Sequence, residues 1–95
     1  LGLRILVHPG AARELSRLPL PARREIARLI ESLAECPRPA GAEKMTGLDA
    51  LRIRCGEYRI IYSIRSLESL LVILKVGDRR DVYRHLDTIR ARLRK

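Results

Sequence analysis

The stretch from Leu51 to Tyr62 constrains this chain more than any other. Leu51, Ile53 and Cys55 alternate with Arg52 and Arg54, Gly56-Glu57 intervenes, and an extended run resumes from Tyr58 to Arg65. A period of two belongs to β-strands, whose successive side chains point to opposite faces. A two-residue connection with glycine first fits a type II′ turn, which joins antiparallel strands in tight register. That register follows directly. Cys55 opposes Tyr58, Arg54 opposes Arg59, Ile53 opposes Ile60 and Arg52 opposes Ile61. Opposed residues share a face. Arg52, Arg54 and Arg59 therefore share one face of the hairpin, and Leu51, Ile53, Cys55, Tyr58, Ile60 and Tyr62 share the other.

Arg54 opposite Arg59 asks for an explanation, because like charges directly across a strand pair destabilise it. An anion held between the two guanidinium groups removes the repulsion, and arginine forks match phosphate oxygens in pairs. The competing view is a solvated basic face whose charges are screened. Spacing alone does not separate the two. Charge distribution favours the anion. The formal net charge is +9, and residues 1–51 contribute +2 of it, from 8 Lys and Arg against 6 Asp and Glu. Residues 52–95 contribute +7, from 12 against 5. A basic excess confined to one half points to a polyanionic partner: nucleic acid, an acidic protein or a membrane surface.

Around the hairpin the periodicity predicts further elements. Leu3 to Val7 reads as a short strand that Pro9-Gly10 ends. Ala11, Ala12, Leu15 and Leu18 recur at helical spacing up to Pro19, and Pro21 suits the first turn of a second helix. In that helix Ile26, Leu29, Ile30 and Leu33 form an apolar stripe, and Arg24, Glu25, Arg28, Glu31 and Glu35 form a solvated opposite side. Leu70 to Val76 is almost wholly apolar, as in a central strand buried on both faces, and Gly77-Asp78 ends it. Val82, Leu86, Ile89 and Leu93 predict one C-terminal helix. The order β-α-α-β-β-β-α describes an α+β fold. It implies a compact, mostly antiparallel four-stranded sheet, with two N-terminal helices on one face and a C-terminal helix, in one domain over residues 1–95.

Composition narrows the chemistry. The aromatics are Tyr58, Tyr62 and Tyr83, so the core is aliphatic. Cys36 and Cys55 make no disulfide framework, and with His8 and His85 they show no metal-ligand spacing. No cofactor is expected. No run has the length of a membrane span, no signal peptide is recognisable, and a cytoplasmic protein without a membrane role is expected. Arg79 and Arg80 follow the apolar strand at the sheet edge, and Tyr83 and Arg84 follow them on the first helical turn. A tyrosine among arginines suits stacking on a base while its phosphates are clamped, although a core contact beside Val82 is the alternative for Tyr83. His85 titrates in a useful range as a class, but two residues past Tyr83 it reads as a surface histidine. Glu57 and Asp81 read as turn and helix-start residues.

These residues also carry a family resemblance. Lys44-Met45-Thr46-Gly47-Leu48, Leu51-Arg52-Ile53-Arg54-Cys55-Gly56-Glu57-Tyr58-Arg59-Ile60-Ile61-Tyr62 and Val76-Gly77-Asp78-Arg79-Arg80-Asp81-Val82-Tyr83 resemble the RelE/ParE toxin superfamily, as does the helix from Ala12 to Pro19. The likeness spans nearly the whole chain in order and is nearer the RelE branch. It implies the toxin of a type II toxin–antitoxin module, a ribosome-dependent endoribonuclease. Such an enzyme cuts messenger RNA in the A site by attack of a ribose 2′-hydroxyl on the adjacent phosphate. It implies catalytic roles for Arg52, Arg54, Arg59, Arg79 and Tyr83, with Arg80, Arg84 and Lys44 as further RNA contacts. The first two positions are commonly lysine in the best-known member. Arginine stabilises charge well but surrenders its proton poorly, so positioning and electrostatics are expected to dominate. The implied partners are an acidic RelB-like antitoxin and the ribosome with its messenger, with operator DNA reached only through the antitoxin complex. The ParE branch, whose members act on gyrase, and a non-catalytic binding module are the alternatives.

Overall fold

The computed structural model describes residues 2–94, apart from the side chain of Tyr83. In chain order the elements are β1 (Arg4–Val7), α1 (Pro9–Ser16), α2 (Leu20–Glu35), β2 (Glu43–Lys44), β3 (Leu51–Cys55), β4 (Tyr58–Arg65), β5 (Leu70–Asp78), α3 (Arg79–Arg84) and α4 (Leu86–Leu93). A 3₁₀ turn, Ser66–Glu68, joins β4 to β5. The strands form one sheet in the order β1-β5-β4-β3-β2, with β1 parallel to β5 and the other neighbours antiparallel. The fold is α+β, as expected. Every residue of β5 but its last is buried, as an apolar run inside a sheet requires.

The hairpin adopts the register that its alternation dictates. Arg54 pairs with Arg59, Cys55 with Tyr58, Ile53 with Ile60 and Arg52 with Ile61. Gly56 has φ +61°, the left-handed value that the first central position of a type II′ turn needs. Across the sheet the row continues, with Arg59 beside Gly77 of β5.

Helices cover both faces of the sheet. Ile26, Ile30 and Leu33 of α2, with Ala11 of α1, pack on Ile53, Ile60, Tyr62 and their neighbours. On the opposite face Met45, Leu48, Val82 and Ile89 cover Ile61, Val72 and Leu74. The arginine face is therefore buried at Ile61 and opens at the hairpin tip.

Four details depart from the periodicity. Among the described residues the sheet has five strands and not four, because Glu43 and Lys44 pair with Arg52 and Leu51; two residues are too few to show a period. Pro9-Gly10 does not merely end β1 but opens α1. Proline is tolerated at a first helical position, and the His8 ring accepts the Gly10 N–H through Nδ1 at 3.0 Å. β5 runs on through Gly77 to Asp78. The single C-terminal helix is two, because His85 leaves the helical region at φ −119°, ψ 44°. Val82 and Ile89 are nonetheless fully buried, with Leu86 and Leu93 packed beside them. The stripe reports burial faithfully and cannot register one residue leaving helical dihedrals.

Among the described residues β1 pairs with Leu70–Ile73, so the rest of that edge of β5 needs other partners. Glu14 of α1 accepts the Val76 N–H through Oε1 at 3.1 Å, and Arg92 of α4 donates Nη1 to the Leu74 carbonyl at 2.9 Å. Lys75, whose side chain is 4% exposed, pairs with Glu14 at 2.8 Å and Asp81 at 3.1 Å, and Arg92 pairs with Glu14 at 2.9 Å. Burial alone would push the Glu14 carboxyl up. The hydrogen bonds from Arg92, Lys75 and Val76 prevail and hold it below its ordinary value. Gly10 makes room for this clasp: a Cβ there would run into the Arg92 guanidinium. Among the described residues, no helix is long and apolar enough to cross a membrane.

Candidate nucleic-acid interface

At the tip of the β3–β4 hairpin, a cleft of about 510 Å³ is lined by Arg54, Gly56, Glu57, Tyr58, Arg59, Asp78, Arg79 and Arg80. Local structure explains why four arginines meet here. The tight turn places Arg54 and Arg59 directly across from one another. β5 passes into α3 with no loop between them, because Asp78 caps that helix, its Oδ1 accepting the Asp81 N–H at 2.8 Å. Arg79 and Arg80 are thereby fixed in the first helical turn, at the cleft's mouth.

The two hairpin guanidinium groups are oriented by the turn backbone. Arg54 donates Nε to the Gly56 carbonyl and Arg59 donates Nη1 to the Tyr58 carbonyl, each at 3.2 Å. A guanidinium carries five donors, so most remain for a ligand. Among the described residues neither side chain makes an ion pair. Such a group of cations with free donors suits phosphodiester oxygens.

The structure separates the sequence candidates. Arg54, Arg59, Arg79 and Arg80 converge on the cleft. Arg52 shares their face but does not line it; its Nη2 lies 3.4 Å from Glu43 Oε1 of β2, the strand that periodicity missed. Lys44 donates Nζ to the Leu48 carbonyl at 3.0 Å and lines a different cavity. Arg84 is exposed at the end of α3, outside the cleft lining. The side chain of Tyr83 lies outside the described residues. His85 points Nε2 to Asp81 Oδ1 at 3.2 Å and does not line the cleft.

Three lining residues escaped the sequence reading: Glu57, Tyr58 and Asp78. Parity put Tyr58 with the helix-facing core. It does pack there, but it is only half-buried, and it lines the cleft as well. Glu57 reads as an ordinary turn residue. The signal available for it was its position between Arg54 and Arg59, since a carboxylate at the tip of a basic hairpin has cations on both sides.

Other chemistries find little support. Among the described residues, no group of three His, Cys, Asp or Glu is placed to hold a metal ion. Cys55 is buried, and its thiol donates to Glu25 Oε1 at 3.5 Å. Burial and then the Glu25 carboxylate push it up to about 11, which disfavours a nucleophilic thiolate.

Comparison with known proteins adds to this geometry. The family model described as the ParE toxin of a type II toxin–antitoxin system, parDE, matches residues 5–83. Among solved structures, the chain is similar to the archaeal RelE–RelB complex from Pyrococcus horikoshii. The two share 29% identity over 83% of this chain and 97% of the other, with TM-score 0.71. It is similar to a free, doubly arginine-to-alanine-substituted RelE toxin from E. coli, with 15% identity over 96% and 98% of the two chains and TM-score 0.80. A RelBE toxin–antitoxin complex from Mycobacterium tuberculosis matches at 22% identity over 83% of this chain and 100% of the other, with TM-score 0.73. No curated protein sequence matches at a significant level.

Proposed function

The chain belongs to the ParE toxin family of type II toxin–antitoxin systems, within the RelE/ParE superfamily, and on that premise we propose that it is a ribosome-dependent endoribonuclease that cleaves messenger RNA in the A site. The observation that carries this reading is the directly opposed Arg54–Arg59 pair, joined by Arg79 and Arg80 around one open cleft. Four cations gathered against their own repulsion suit a polyanion whose phosphate gains charge during reaction.

Attack of the 2′-hydroxyl on the adjacent phosphorus forms a pentacoordinate phosphorane. Its collapse gives a 2′,3′-cyclic phosphate and a free 5′-hydroxyl. In this proposal Arg54 and Arg59 clamp the non-bridging oxygens and stabilise the developing charge. Arg79 stabilises the negative charge on the leaving 5′-oxygen, which takes its proton from solvent water to become the 5′-hydroxyl. Arg52, tied to Glu43, serves the strand beyond the scissile phosphate, with Arg80, Arg84 and Lys44 on the flanking backbone. Tyr83 orients a base. Arginine is a poor proton acceptor. Two carboxylates line the cleft without an ion pair among the described residues, Glu57 and Asp78; Asp78 Oδ1 is engaged in capping α3, so Glu57 is the one assigned to take the 2′-hydroxyl proton.

The test is messenger cleavage on translating ribosomes by the wild type and by Arg59→Ala, Arg79→Ala, Glu57→Gln and Tyr83→Phe. Losing one charge-stabilising arginine is expected to slow cleavage by about 10²-fold or more. Wild-type rates in all four variants would sink the assignment. The chain's +9 charge also suits an acidic antitoxin segment that folds on binding; operator DNA is reached through that complex and not by the toxin alone. One observation favours a second reading. The matching family description names ParE, and inhibition of gyrase supercoiling without any messenger cleavage would select that branch.

A further inference from the structure

A second cavity, of about 290 Å³, lies at the other end of the strand pair that forms the arginine cleft, and Arg38, Lys44, Asp49 and Ser63 are among its lining residues. It opens where the β3–β4 ladder ends at Leu51–Tyr62 while β4 runs on to Arg65. Ser63 is only 4% exposed, and among the described residues its hydroxyl finds no hydrogen-bond partner. A buried hydroxyl that gives up water without gaining a partner is costly, and such groups ask for a missing ligand. The surrounding charge indicates the kind of ligand. Arg38 makes no ion pair among the described residues, and Lys44 spends one of its three donors on the Leu48 carbonyl. Asp49 is the carboxylate in the lining, which leaves one net positive charge.

We propose that this cavity is a second anion subsite, holding a backbone phosphate of the same single-stranded RNA that enters the arginine cleft. The inference rests on the RNA reading given above. The Ser63 hydroxyl donates to a non-bridging oxygen, and Arg38 and Lys44 supply the charge. Arg59, Ile61 and Ser63 alternate onto one face of β4; that face is covered at Ile61, so the RNA would pass along the β3 side, by Arg52, and not over Ile61. Positions 59 and 63 are about 14 Å apart at the rise of a strand, a span of a few nucleotides. Arg52, opposite Ile61, lies between them on β3. The subsite would set the register of the strand relative to the phosphate being cut.

The experiment is a nitrogen-15 NMR titration of the full chain with two RNAs made uncleavable by 2′-O-methylation, a dinucleotide and a hexanucleotide. The hexanucleotide should shift the amides of Ser63 and Lys44 as well as that of Arg59. Ser63→Ala and Arg38→Ala should each weaken it about tenfold. Arg38→Ala should also lower the salt slope of binding by about one. Neither variant should change dinucleotide affinity read at Arg59. Asp49→Asn should tighten the hexanucleotide, since it removes an opposing charge. Unchanged hexanucleotide affinity in the variants, with wild-type binding at Arg59 intact, overturns the subsite and leaves the RNA reading standing. No RNA binding by the wild type overturns both. Shifts at Ser63 with polyglutamate but not with RNA overturn the phosphate in favour of an acidic protein partner.

Discussion

Replacing Arg54 with glutamate sets the stability of the hairpin against the use of the cleft. Arg54 and Arg59 are directly paired across the strands, which puts their Cβ atoms about 5 Å apart. Taking a charge separation of roughly 7 Å, somewhat beyond that Cβ spacing, two unit charges at the dielectric of water repel by ~0.6 kcal/mol. Arg54 is exposed, so the low-dielectric figures do not apply. Arg54→Gln should recover about that amount, and Arg54→Glu, which turns repulsion into attraction, about 1 kcal/mol. For a domain of this size that corresponds to a rise in Tm of about 4–8 °C. The assay is calorimetric melting at about 0.02 M and about 0.5 M salt. At the higher salt the screening length falls below the charge separation and the gain should collapse. Inorganic phosphate should stabilise the wild type by mass action and leave Arg54→Glu unmoved. Cleavage should fall by about 10²-fold or more in the same variant. If Arg54→Glu melts at or below the wild type in low salt, or its gain survives high salt, the opposed pair is not a strain held for a ligand.

Three further outcomes follow from the clasp and the charge. Glu14→Gln leaves Lys75 with Asp81 alone and should cost about 3 kcal/mol in urea unfolding at neutral pH. Because the folded-state Glu14 carboxyl is held below its ordinary 4.5, its contribution is complete above that value and is lost as pH falls through the lowered one. The wild-type and Glu14→Gln stabilities should therefore converge in acid, and a gap of constant size down to pH ~2 would contradict the network. Gly10→Ala drives a Cβ into the Arg92 guanidinium and should cost about 1–2 kcal/mol; Arg92→Ala in the same chain should remove most of that penalty, read as a double-mutant cycle. Antitoxin affinity, measured by calorimetry, should fall as salt rises; salt-independent binding would argue against an electrostatic role for the basic face.

The sequence by itself determined the hairpin. Alternation and a glycine-first turn leave one register, and the structure has that register residue for residue. It also determined which side chains are buried in α2, β5 and the C-terminal stripe, because apolar periodicity is a direct record of burial. The opposition of Arg54 to Arg59, and so the heart of the candidate site, was legible for the same reason: it is a local consequence of a two-residue turn.

Tertiary structure alone decided the rest, wherever the partner is distant in the chain. Glu43 draws Arg52 away from the cleft through a strand of two residues. The pairing of β4 with β5, Tyr58 beside Asp78 and Arg59 beside Gly77, brings the α3 start that Asp78 caps, with Arg79 and Arg80, to the hairpin tip. Glu14, Lys75 and Arg92, far apart in sequence, meet at an edge left bare because β1 is short. A repeating pattern records which face a residue presents, whereas the ion pairs and caps that complete this site depend on where separate elements end.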